Sequence, residues 1–421
     1  MNRRQVVLTA RGVGMTVVGS MMLTFGIMIG VPVVTTSGSL LLLLVLGGVA
    51  AVGLPGVAAA RGGVRMVRRV IPHPVTVGEP ATVEVVLTST APLARLSGLE
   101  ISEQAARELS GSGGLRARVH REPGRLRLSY PIMPARRGRW AVGPLQVRRS
   151  DLFGVAHWRG PLGEPMQVAV RPRIHPVVGD TRAESTDVDR AATGTRMPAA
   201  DDALLRDYRP GDDLRRVHWR SSARRGELLV RQDERAARRP ASVVLDLPRD
   251  DPAAEWSISL AASVAVALVR SGHRVRLLGG DVLGTSTDHH PPDTEGVAVD
   301  AILDQTVDLT LPPTPFVRDE WLRVAVDTLS QEGSGAELVF AVVGGLDPDA
   351  LAALARLGDA NLGWAMVRTG TDPSRNNPDH LRTLEALRRA GWTVCPVDVG
   401  EDIPLCWARL RESDSRTESL R

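Results

Sequence analysis

The densest group of side chains that could do chemistry lies between residues 205 and 234. Together with its flanks, residues 204–239, this stretch holds eleven arginines and six carboxylates, a local charge of +5 (11 − 6). Pro210 and Gly211 predict a turn, after which Asp212 or Asp213 can cap a short helix that a strand then follows. Such an arrangement would bring together Tyr208, Asp212, His218, Trp219 and several arginines.

This arginine motif admits three interpretations. In a catalytic one, Asp212 orients His218 as a general base and arginines hold an anionic substrate, although no nucleophile or metal-ligand spacing accompanies the pair. In an anion-binding one, four arginines converge on a phosphate or on carboxylates of a partner: Arg206, Arg215, Arg224 and Arg231. In a structural one, which we favour, guanidinium and carboxylate groups form ion pairs that lock the motif between the domains on either side.

Two membrane-spanning helices are predicted upstream of the motif. Residues 12–60 contain no charged side chain, a run too long for one span and long enough for two of about 20 residues each. Pro32 and the polar run 35–39 interrupt it, which predicts helices near 12–34 and 40–60. Arginines flank the pair on both sides and none lies in the connecting turn. The positive-inside rule therefore predicts a multi-pass protein of the cell membrane with both termini in the cytoplasm.

Charge and composition exclude several classes of protein. The chain contains 52 arginines, no lysine and 48 acidic residues, a net charge of +4. Seven of the arginines and none of the acids lie in the first 78 residues, which leaves −3 (4 − 7) for the rest. This distribution disfavours a nucleic-acid partner, because such binding needs many cationic contacts to phosphate. Cys395 and Cys406 are too few for a disulfide framework or a zinc site. Nucleotide-binding and nucleophile-elbow motifs are absent from the sequence, so we expect no cofactor.

The rest of the chain divides by pattern. Residues 71–177 hold about seven short runs of period-two alternation between glycine, proline and serine, which predicts an antiparallel β-sandwich of immunoglobulin-like size. Residues 240–411 alternate apolar strands with helices, which predicts a Rossmann-like, mostly parallel α/β sheet covered on both faces. We therefore expect a multidomain protein, with the helical hairpin in residues 1–70, a linker and the arginine motif in 178–239, and a flexible tail in 412–421.

The arginine motif resembles the signature of the domain of unknown function 58 family. The residues that carry the resemblance are Tyr208, Pro210, Gly211, Asp212, Arg215, His218, Trp219, Ser222, Ala223 and Arg224. Upstream, Arg136–Arg139 and Asp151–Gly154 are similar to that family's Arg-Arg-Gly and Asp-Pro-Phe-Gly elements, with Leu152 where proline is usual. The resemblance implies a membrane-anchored protein with a von Willebrand factor A-like region. It also implies MoxR-type AAA+ ATPases and other von Willebrand A proteins as partners, and no established reaction.

The same resemblance points to one position where a metal could bind. Von Willebrand A domains begin an Asp-x-Ser-x-Ser metal motif at the end of their first strand, where Asp246 lies in this sequence. Here Pro248 and Asp250 replace both serines, and Arg249 falls between the two carboxylates. Divalent cations prefer several oxygen ligands, so Asp246 and Asp250 are weak candidates and we expect no metal. Instead, we expect Asp246 to cap the next helix or to pair with an arginine of the motif.

These features favour a non-enzymatic, membrane-anchored cytoplasmic scaffold or adaptor. Its α/β domain would bind protein partners, with a MoxR-type AAA+ ATPase or another von Willebrand A protein expected, and its helices would contact the lipid bilayer. Two alternatives stay open. One is an anion-handling hydrolase that uses His218 and Asp212. The other keeps a cation near Asp246 and makes partner binding of the von Willebrand A type depend on that cation.

Overall fold

The chain forms two compact units, Met1–Arg171 and Pro172–Arg421, each with its own core. The structure is a computed structural model, and it describes residues 5–58, 64–89, 99–110, 117–122, 125–177, 205–207, 222–223, 226–227, 229–231, 240–281, 288–291, 295–332, 337–359, 361–369 and 378–418. The first unit carries two long apolar helices and two β-sheets, and the second a parallel sheet between two layers of helices.

The described part of the first unit consists of two long helices, one short helix and the strands of its two sheets. The helices are α1 (Ala10–Ile29), α2 (Pro32–Ala58) and the short α3 (Arg107–Ser110). The strands are β1 (Gln5–Leu8), β2 (Val64–Ile71), β3 (Val75–Thr76), β4 (Ala81–Ser89), β5 (Leu99–Ala105), β6 (Arg118–Glu122), β7 (Arg125–Ile132), β8 (Gly138–Ser150), β9 (Ala156–Leu162) and β10 (Met166–Arg171).

Helices α1 and α2 are long and apolar enough to cross a bilayer, and only 17% of the most apolar stretch of each is buried. The break between them differs from the prediction. Helix α1 ends where Gly30 takes a left-handed conformation (φ 73°), and Pro32 opens α2 at a position where its missing N–H costs nothing. The polar run 35–39 is helical, because its hydroxyls donate to carbonyls three or four residues earlier. The predicted spans 12–34 and 40–60 are corrected to the bounds of α1 and α2.

Close backbone contact holds the two helices together. A Cβ atom on Gly38 would lie 2.6 Å from the amide nitrogen of Leu23 and 2.8 Å from the carbonyl oxygen of Gly19. Likewise, a Cβ on Gly26 would lie 2.6 Å from the amide nitrogen of Thr35. Small residues at such a seam let two helix backbones approach where apolar burial gives little driving force.

Two β-sheets of the first unit share one core. One is antiparallel with the order β2-β4-β7-β6, and the other has the order β1-β9-β8-β10-β3, with β5 also paired to β8 and with β10 and β3 parallel. Val85 and Leu128 from the first sheet and Val142 and Val168 from the second are buried in the same cluster. The predicted alternation of buried and partly exposed positions is therefore seen, as along β7.

The helices of the hairpin contact the sheets of the first unit directly. Strand β1, which precedes α1, pairs antiparallel with β9. Val52 of α2 is buried in one cluster with Trp158 of β9, and the strands already resume at Val64. The sequence predicts the hairpin in 1–70 and the sheets in 71–177, whereas the compact unit Met1–Arg171 contains both. The short apolar sequence of β1 runs directly into α1, so its pattern alone did not separate it from the helix.

The second unit has the following elements. Its strands are β11 (Leu205–Asp207), β12 (Leu229–Arg231), β13 (Ala241–Leu245), β14 (Val275–Gly279), β15 (Leu338–Val343), β16 (Leu362–Thr369) and β17 (Thr393–Asp398). Its helices are α4 (Asp251–Arg270), α5 (Val297–Val307), α6 (Pro315–Glu332), α7 (Pro348–Arg356), α8 (Pro378–Arg389) and α9 (Ile403–Glu418), with a 3₁₀ turn at Leu357–Asp359. Because α9 continues to Glu418, the predicted tail 412–421 begins in a helix.

The predicted parallel α/β sheet is confirmed. Five parallel strands have the order β14-β13-β15-β16-β17, which is the doubly wound order 2-1-3-4-5. One face packs on α4, α5 and α9 through Ile258, Phe340 and Trp407, and the other packs on α6, α7 and α8 through Val339 and Leu354. Helix α4 is also apolar enough to cross a membrane, but 78% of it is buried, so it belongs to this core.

The order of the sheet fixes where a site can form. The chain leaves β13 toward β14 on one side and returns to β15 on the other, so the connections diverge between β13 and β15. In such sheets, ligands bind in the crevice that this divergence opens at the carboxyl ends of the strands.

A leucine at Gly38 should loosen the α1–α2 hairpin, because its side chain has no space beside Leu23 and overpacking costs about 1–3 kcal/mol. We expect Gly38→Leu to lower the melting temperature of the detergent-solubilised chain, measured by fluorescence-detected size-exclusion chromatography after heating. Gly47→Leu is the matched control, since a Cβ on Gly47 meets nothing within 4 Å. Equal melting temperatures for both variants would contradict the helix packing.

Candidate functional site at the carboxyl edge of the parallel sheet

Asp246 lies directly after β13, at the divergence point. Its amide donates to the carbonyl oxygen of Val342 (2.9 Å), which extends the pairing of β13 with β15 by one residue. Its side chain is fully buried, and Oδ2 accepts a hydrogen bond from the amide of Gly344 (2.9 Å), just beyond β15. The carboxylate therefore spans the carboxyl ends of the two strands between which the crevice would open.

Arg318, in the first turn of α6, forms a bidentate ion pair with this carboxylate. Nε donates to Oδ1 of Asp246 and Nη2 to Oδ2, each at 2.7 Å. Nη2 also donates to the carbonyl oxygen of Gly345 (3.1 Å). Two parallel charge-assisted bonds of this kind fix orientation as well as charge. The Arg318 side chain keeps 21% exposure, so it connects the buried carboxylate with the surface.

Arg368 approaches the same carboxylate from β16. Its Nη2 donates to Oδ2 of Asp246 (2.7 Å), and its Nη1 donates to the Asp246 carbonyl oxygen (2.5 Å). Nη1 also donates to Oγ of Ser257 (2.8 Å), whose hydroxyl donates to the Ala253 carbonyl oxygen (2.6 Å). Arg368 is 4% exposed, so it is an almost fully buried cation. Helix α4 and strands β13 and β16 are thus joined through one guanidinium group.

One carboxylate and two guanidinium groups meet where the connections of the sheet diverge, and their net charge is +1. We call this group, Asp246, Arg318 and Arg368, the switch-point triad. Burial disfavours the charged form of Asp246, but Arg368 and Arg318 outweigh it and hold the pKa of the Asp246 carboxyl below its ordinary value of 3.8. Burial opposes the charge on Arg318 too, yet the adjacent Asp246 carboxylate raises the Arg318 pKa. Burial lowers the pKa of Arg368 below its ordinary value of 12.5, although the Asp246 carboxylate opposes this shift. Because a guanidinium group stays protonated in proteins, the triad contains one carboxylate and two cations.

Two titratable neighbours border the triad. Burial lowers the pKa of His380, and the nearby Arg368 and Arg318 lower it further against a hydrogen bond to the Arg368 backbone that raises it. Burial raises the pKa of Asp319, and repulsion by Asp347 adds to this, although Arg318 works against it. The His380 imidazole therefore resists protonation, since it lies beside a triad that is already net positive.

The triad does not fit a divalent cation. Oδ1 of Asp246 is taken by Arg318, and Oδ2 accepts from Arg318, Arg368 and the Gly344 amide. A metal ion would have to displace these donors and would add positive charge to a centre that is already positive. Over the described part of the chain, no three His, Cys, Asp or Glu side chains come together as a metal-ligand group.

The structure differs from the capping role expected for Asp246, and most arginines of the motif, its other expected partners, lie outside the described residues. Asp250 is the residue that caps α4, with its side chain accepting from the Ala253 amide (3.2 Å). Among the residues that the structure describes, the arginine partners of Asp246 are Arg318 and Arg368, and neither belongs to the arginine motif. The physical reason is that the parallel sheet brings the ends of β13 and β16 together, whereas the sequence spacing suggested a nearer partner.

Most of the arginine motif lies outside the described residues. This holds for Tyr208, Pro210, Gly211, Asp212, Arg215, His218, Trp219 and Arg224. Ser222 is buried, and its carbonyl oxygen accepts from the Gly226 amide (2.8 Å). Arg231 ends β12, which pairs antiparallel with β11 so that Arg231 faces Leu205 in the register and Arg206 faces Val230. The two ends of the motif are therefore joined by a short two-stranded sheet.

The sequence contained a signal for the residues that we missed. Arg368 is a single charge near the end of β16, a strand whose other central positions are apolar and buried. A charged side chain at the carboxyl end of a fully buried strand must find an ionic partner, because an unpaired buried charge is very costly. Asp246 sits at the equivalent place of β13. Arg318 gave no such signal, since an arginine in the first turn of a helix is ordinary.

A second buried ion pair lies at the amino edge of the same sheet. Arg276 of β14 donates from Nε to Ser242 Oγ (2.6 Å) and from Nη2 to Oε2 of Glu337 (3.2 Å). Oε1 of Glu337 also lies 2.8 Å from Nε2 of His289. Burial raises the pKa of Glu337, but His289, Ser242 and Arg276 outweigh it and lower that pKa overall. This pair connects the amino-terminal ends of β13, β14 and β15, away from the crevice. We therefore infer that it stabilises the sheet and takes no part in the site.

A pocket of about 450 Å³ lies in the first unit. It is lined by Glu100, Ile101, Ser102, Gln146, Val147, Arg148 and Arg159. Its lining residues include no histidine, cysteine or second carboxylate that could activate Ser102 as a nucleophile. The carboxyl edge of the parallel sheet therefore remains the better candidate site.

Removing the Asp246 charge should destabilise the second unit strongly. Asp246→Asn would leave two buried guanidinium groups without a counter-charge, which costs about 3–5 kcal/mol. Asp250→Asn is the matched control, since asparagine caps a helix about as well as aspartate. Hydrogen–deuterium exchange of the detergent-solubilised full chain would report the unfolding free energy of β13 and β15 directly. If the unfolding free energy falls no more in Asp246→Asn than in Asp250→Asn, the triad does not stabilise the second unit.

Acid should unfold the second unit in a defined window. The folded pKa values of Asp246 and Glu337 lie below the unfolded ones, so their stabilisation is present above the unfolded pKa and is lost as pH falls through the folded pKa. We expect the unfolding free energy to fall below about pH 4. In Asp246→Asn the fall should be shallower, since only Glu337 of the two still binds a proton on unfolding. If the unfolding free energy falls equally steeply with decreasing pH in the wild type and in Asp246→Asn, the pKa of Asp246 is not lowered in the folded state.

Part of the second unit is similar to a known protein family. Residues 204–362 match the model of the family described as "Protein of unknown function DUF58". No curated protein matches the chain. The matched segment contains the arginine motif, Asp246 and Arg318, and it ends at the first residue of β16. The resemblance seen in the sequence motif is therefore confirmed for residues 204–362, the segment that is similar to the DUF58 family.

Proposed function

We propose that this protein is a membrane-anchored scaffold or adaptor that binds protein partners through the carboxyl edge of its α/β unit. A MoxR-type AAA+ ATPase or another von Willebrand A protein is the partner class that we favour. The protein would act on the cytoplasmic side of the cell membrane, with α1 and α2 as its two spans. Their length, apolar composition and low burial support the anchor.

One observation carries the proposal: the crevice at the divergence of β13 and β15 is filled by the protein's own ion pairs. Small-molecule and cofactor sites of doubly wound sheets occupy this crevice. Here Asp246 is fully buried, and Arg318 and Arg368 occupy both of its oxygens. Ser257, whose hydroxyl contacts the triad, is held between Arg368 and a backbone carbonyl, so it is not an activated nucleophile. Within the described residues, a carboxylate whose oxygens are both occupied by arginines suits recognition of a macromolecule better than turnover.

We extend the proposal to the finer fold. The α/β unit would be von Willebrand A-like, with Asp246 at the end of its first strand and guanidinium groups supplying the positive charge that a metal ion gives in that class. Arg318, partly exposed, would then be the group that senses a carboxylate of the partner. The two sheets of the first unit would form the immunoglobulin-sized β-sandwich, which their shared core supports.

The cytoplasmic placement of both termini rests on the arginines near the helix ends. Arg11 lies exposed at the start of α1 and fits an interfacial position on the cytoplasmic side. Arg68, by contrast, is buried in β2 and pairs with Glu103 at 2.5 Å, so it serves the sheets and not the topology signal. The tail after α9 would be cytoplasmic as well, since no further lipid-facing helix is found between α2 and α9 in the residues that the structure describes.

The two alternatives keep separate tests. An anion-handling hydrolase would depend on His218 and Asp212, which lie outside the described residues. Turnover of phosphoester or peptide substrates by the purified full chain, lost in His218→Ala while the fold is kept, would replace our proposal. Cation-dependent partner binding of the von Willebrand A type would require a metal beside Asp246, where we find both carboxylate oxygens occupied.

A photo-crosslinking amino acid at Arg249 should capture the partner in native membranes. Arg249 is exposed in the turn after β13, at the carboxyl edge, whereas Arg274 is exposed just before β14, at the amino edge. We expect an AAA+ ATPase or a von Willebrand A protein to be crosslinked from position 249 and not from 274, with the yield changing when ATP is replaced by a non-hydrolysable analogue. Equal yields from both edges, or none under either nucleotide, would count against the proposal.

A further inference from the structure

The turn between β8 and β9 is rigid and yet presents two large apolar side chains to the outside. The Asp151 carboxylate accepts from the amides of Phe153 (2.9 Å) and Ala156 (2.8 Å). Gly154 takes a left-handed conformation (φ 69°) that closes the turn. Leu152 is 99% exposed and Phe153 is 55% exposed. Neither side chain is used to hold the turn, so the fold itself does not explain why they are apolar.

This turn is docked against the near ends of the lipid-exposed helices. Thr9, which caps α1, donates its hydroxyl to the Gly154 carbonyl oxygen (2.6 Å). A Cβ atom on Gly12 would lie 2.0 Å from the Val155 carbonyl oxygen, and one on Gly48 of α2 would lie 2.4 Å from Val155 Cγ2. Both helices thus touch the turn with backbone-close contact, which fixes its height along the hairpin.

That height coincides with the edge of the hydrocarbon region. At about 1.5 Å per residue, α2 is roughly 24 Å long from Pro32 to Gly48, and α1 roughly 26 Å from Gly12 to Ile29. The hydrocarbon core of a bilayer is about 30 Å thick. If the hairpin turn lies at the far interface, the turn after β8 lies at or just inside the near boundary of the hydrocarbon.

The charge beside the turn fits the same boundary. Arg11 is exposed and its Nη1 donates to the Phe153 carbonyl oxygen (3.3 Å). A guanidinium at headgroup level next to inserted leucine and phenylalanine is the usual composition of an interfacial membrane contact. An exposed leucine and phenylalanine in water would be unfavourable by comparison.

We propose that Leu152 and Phe153 insert into the cytoplasmic leaflet, as a second membrane contact beside the two spans. The inference rests on the proposed membrane anchor and adds to it. The turn, held by Asp151, would keep the two sheets pressed against the bilayer at a fixed height, instead of leaving them free on the ends of α1 and α2. Lipid is the occupant that the structure favours, because the exposed side chains continue the apolar surface of the spans.

The test measures the lipid contact of position 152 in the full chain. An NBD fluorophore would be attached to Leu152→Cys and, as a control, to Met133→Cys, since the two natural cysteines are buried. Met133 is 57% exposed but lies ahead of the start of β8, whereas Leu152 follows its end. Both chains would be reconstituted in phosphatidylcholine–phosphatidylglycerol vesicles that contain a 5-doxyl phosphatidylcholine. We expect blue-shifted emission at 152 and quenching at least about two-fold stronger than at 133.

The outcomes separate the inference from the anchor on which it rests. Flotation of the vesicles with the chain attached tests the anchor alone. Water-like emission at position 152 in chains that float would overturn the inference and leave the anchor standing. Protection at 152 that appears only in native membranes, and not in protein-free vesicles, would assign the turn to a protein partner and would also overturn it. Phe153→Asp should weaken quenching at 152 while flotation persists, since the charged side chain resists insertion.

Discussion

Burial of one carboxylate organises the second unit. An ionised Asp246 without water around it is stable only if cations and amides replace the lost solvation. Arg318 and Arg368 come from an element after β14 and from the fourth strand of the sheet, so they can meet Asp246 only when the parallel order is complete. The interaction thus depends on the whole fold, and the fold depends on it in turn, because loss of Asp246 would leave two cations without a counter-charge.

The same triad determines what the unit can do. In a doubly wound sheet, the divergence of connections between neighbouring strands normally opens a crevice for a ligand. Here two guanidinium groups fill this space, and they neutralise the Asp246 carboxylate that a metal ion would need as a ligand. What remains accessible is the outer part of Arg318 with its bordering acids, and this favours contact with the surface of another protein. In the first unit, the packing of α1 and α2 on the turn after β8 ties the sheets to the apolar helices in a comparable way.

Much of the architecture could be predicted because it follows from periodicity. The sequence predicts the parallel α/β sheet within residues 240–411, and its five strands lie in that range, since strands buried on both faces read as continuous apolar runs. The break between α1 and α2 was misplaced, because hydroxyl side chains that bond to their own helix look like a turn in sequence. Asp246 was recognised from its position, but Arg318 and Arg368 were not. The lone charge of Arg368 at the end of an apolar strand signals that it needs an ionic partner, but which carboxylate it meets is set by the strand order and not by the local sequence.

The central claim is that arginine, and not a metal ion, neutralises Asp246 at the divergence of β13 and β15. Isothermal titration calorimetry of the detergent-solubilised full chain with Mn²⁺ tests it most directly, with Asp246→Ala as the comparison. We predict that wild type and Asp246→Ala give the same heats, with no saturable binding that depends on this carboxylate. Saturable binding of Mn²⁺ to wild type that disappears in Asp246→Ala would contradict the account.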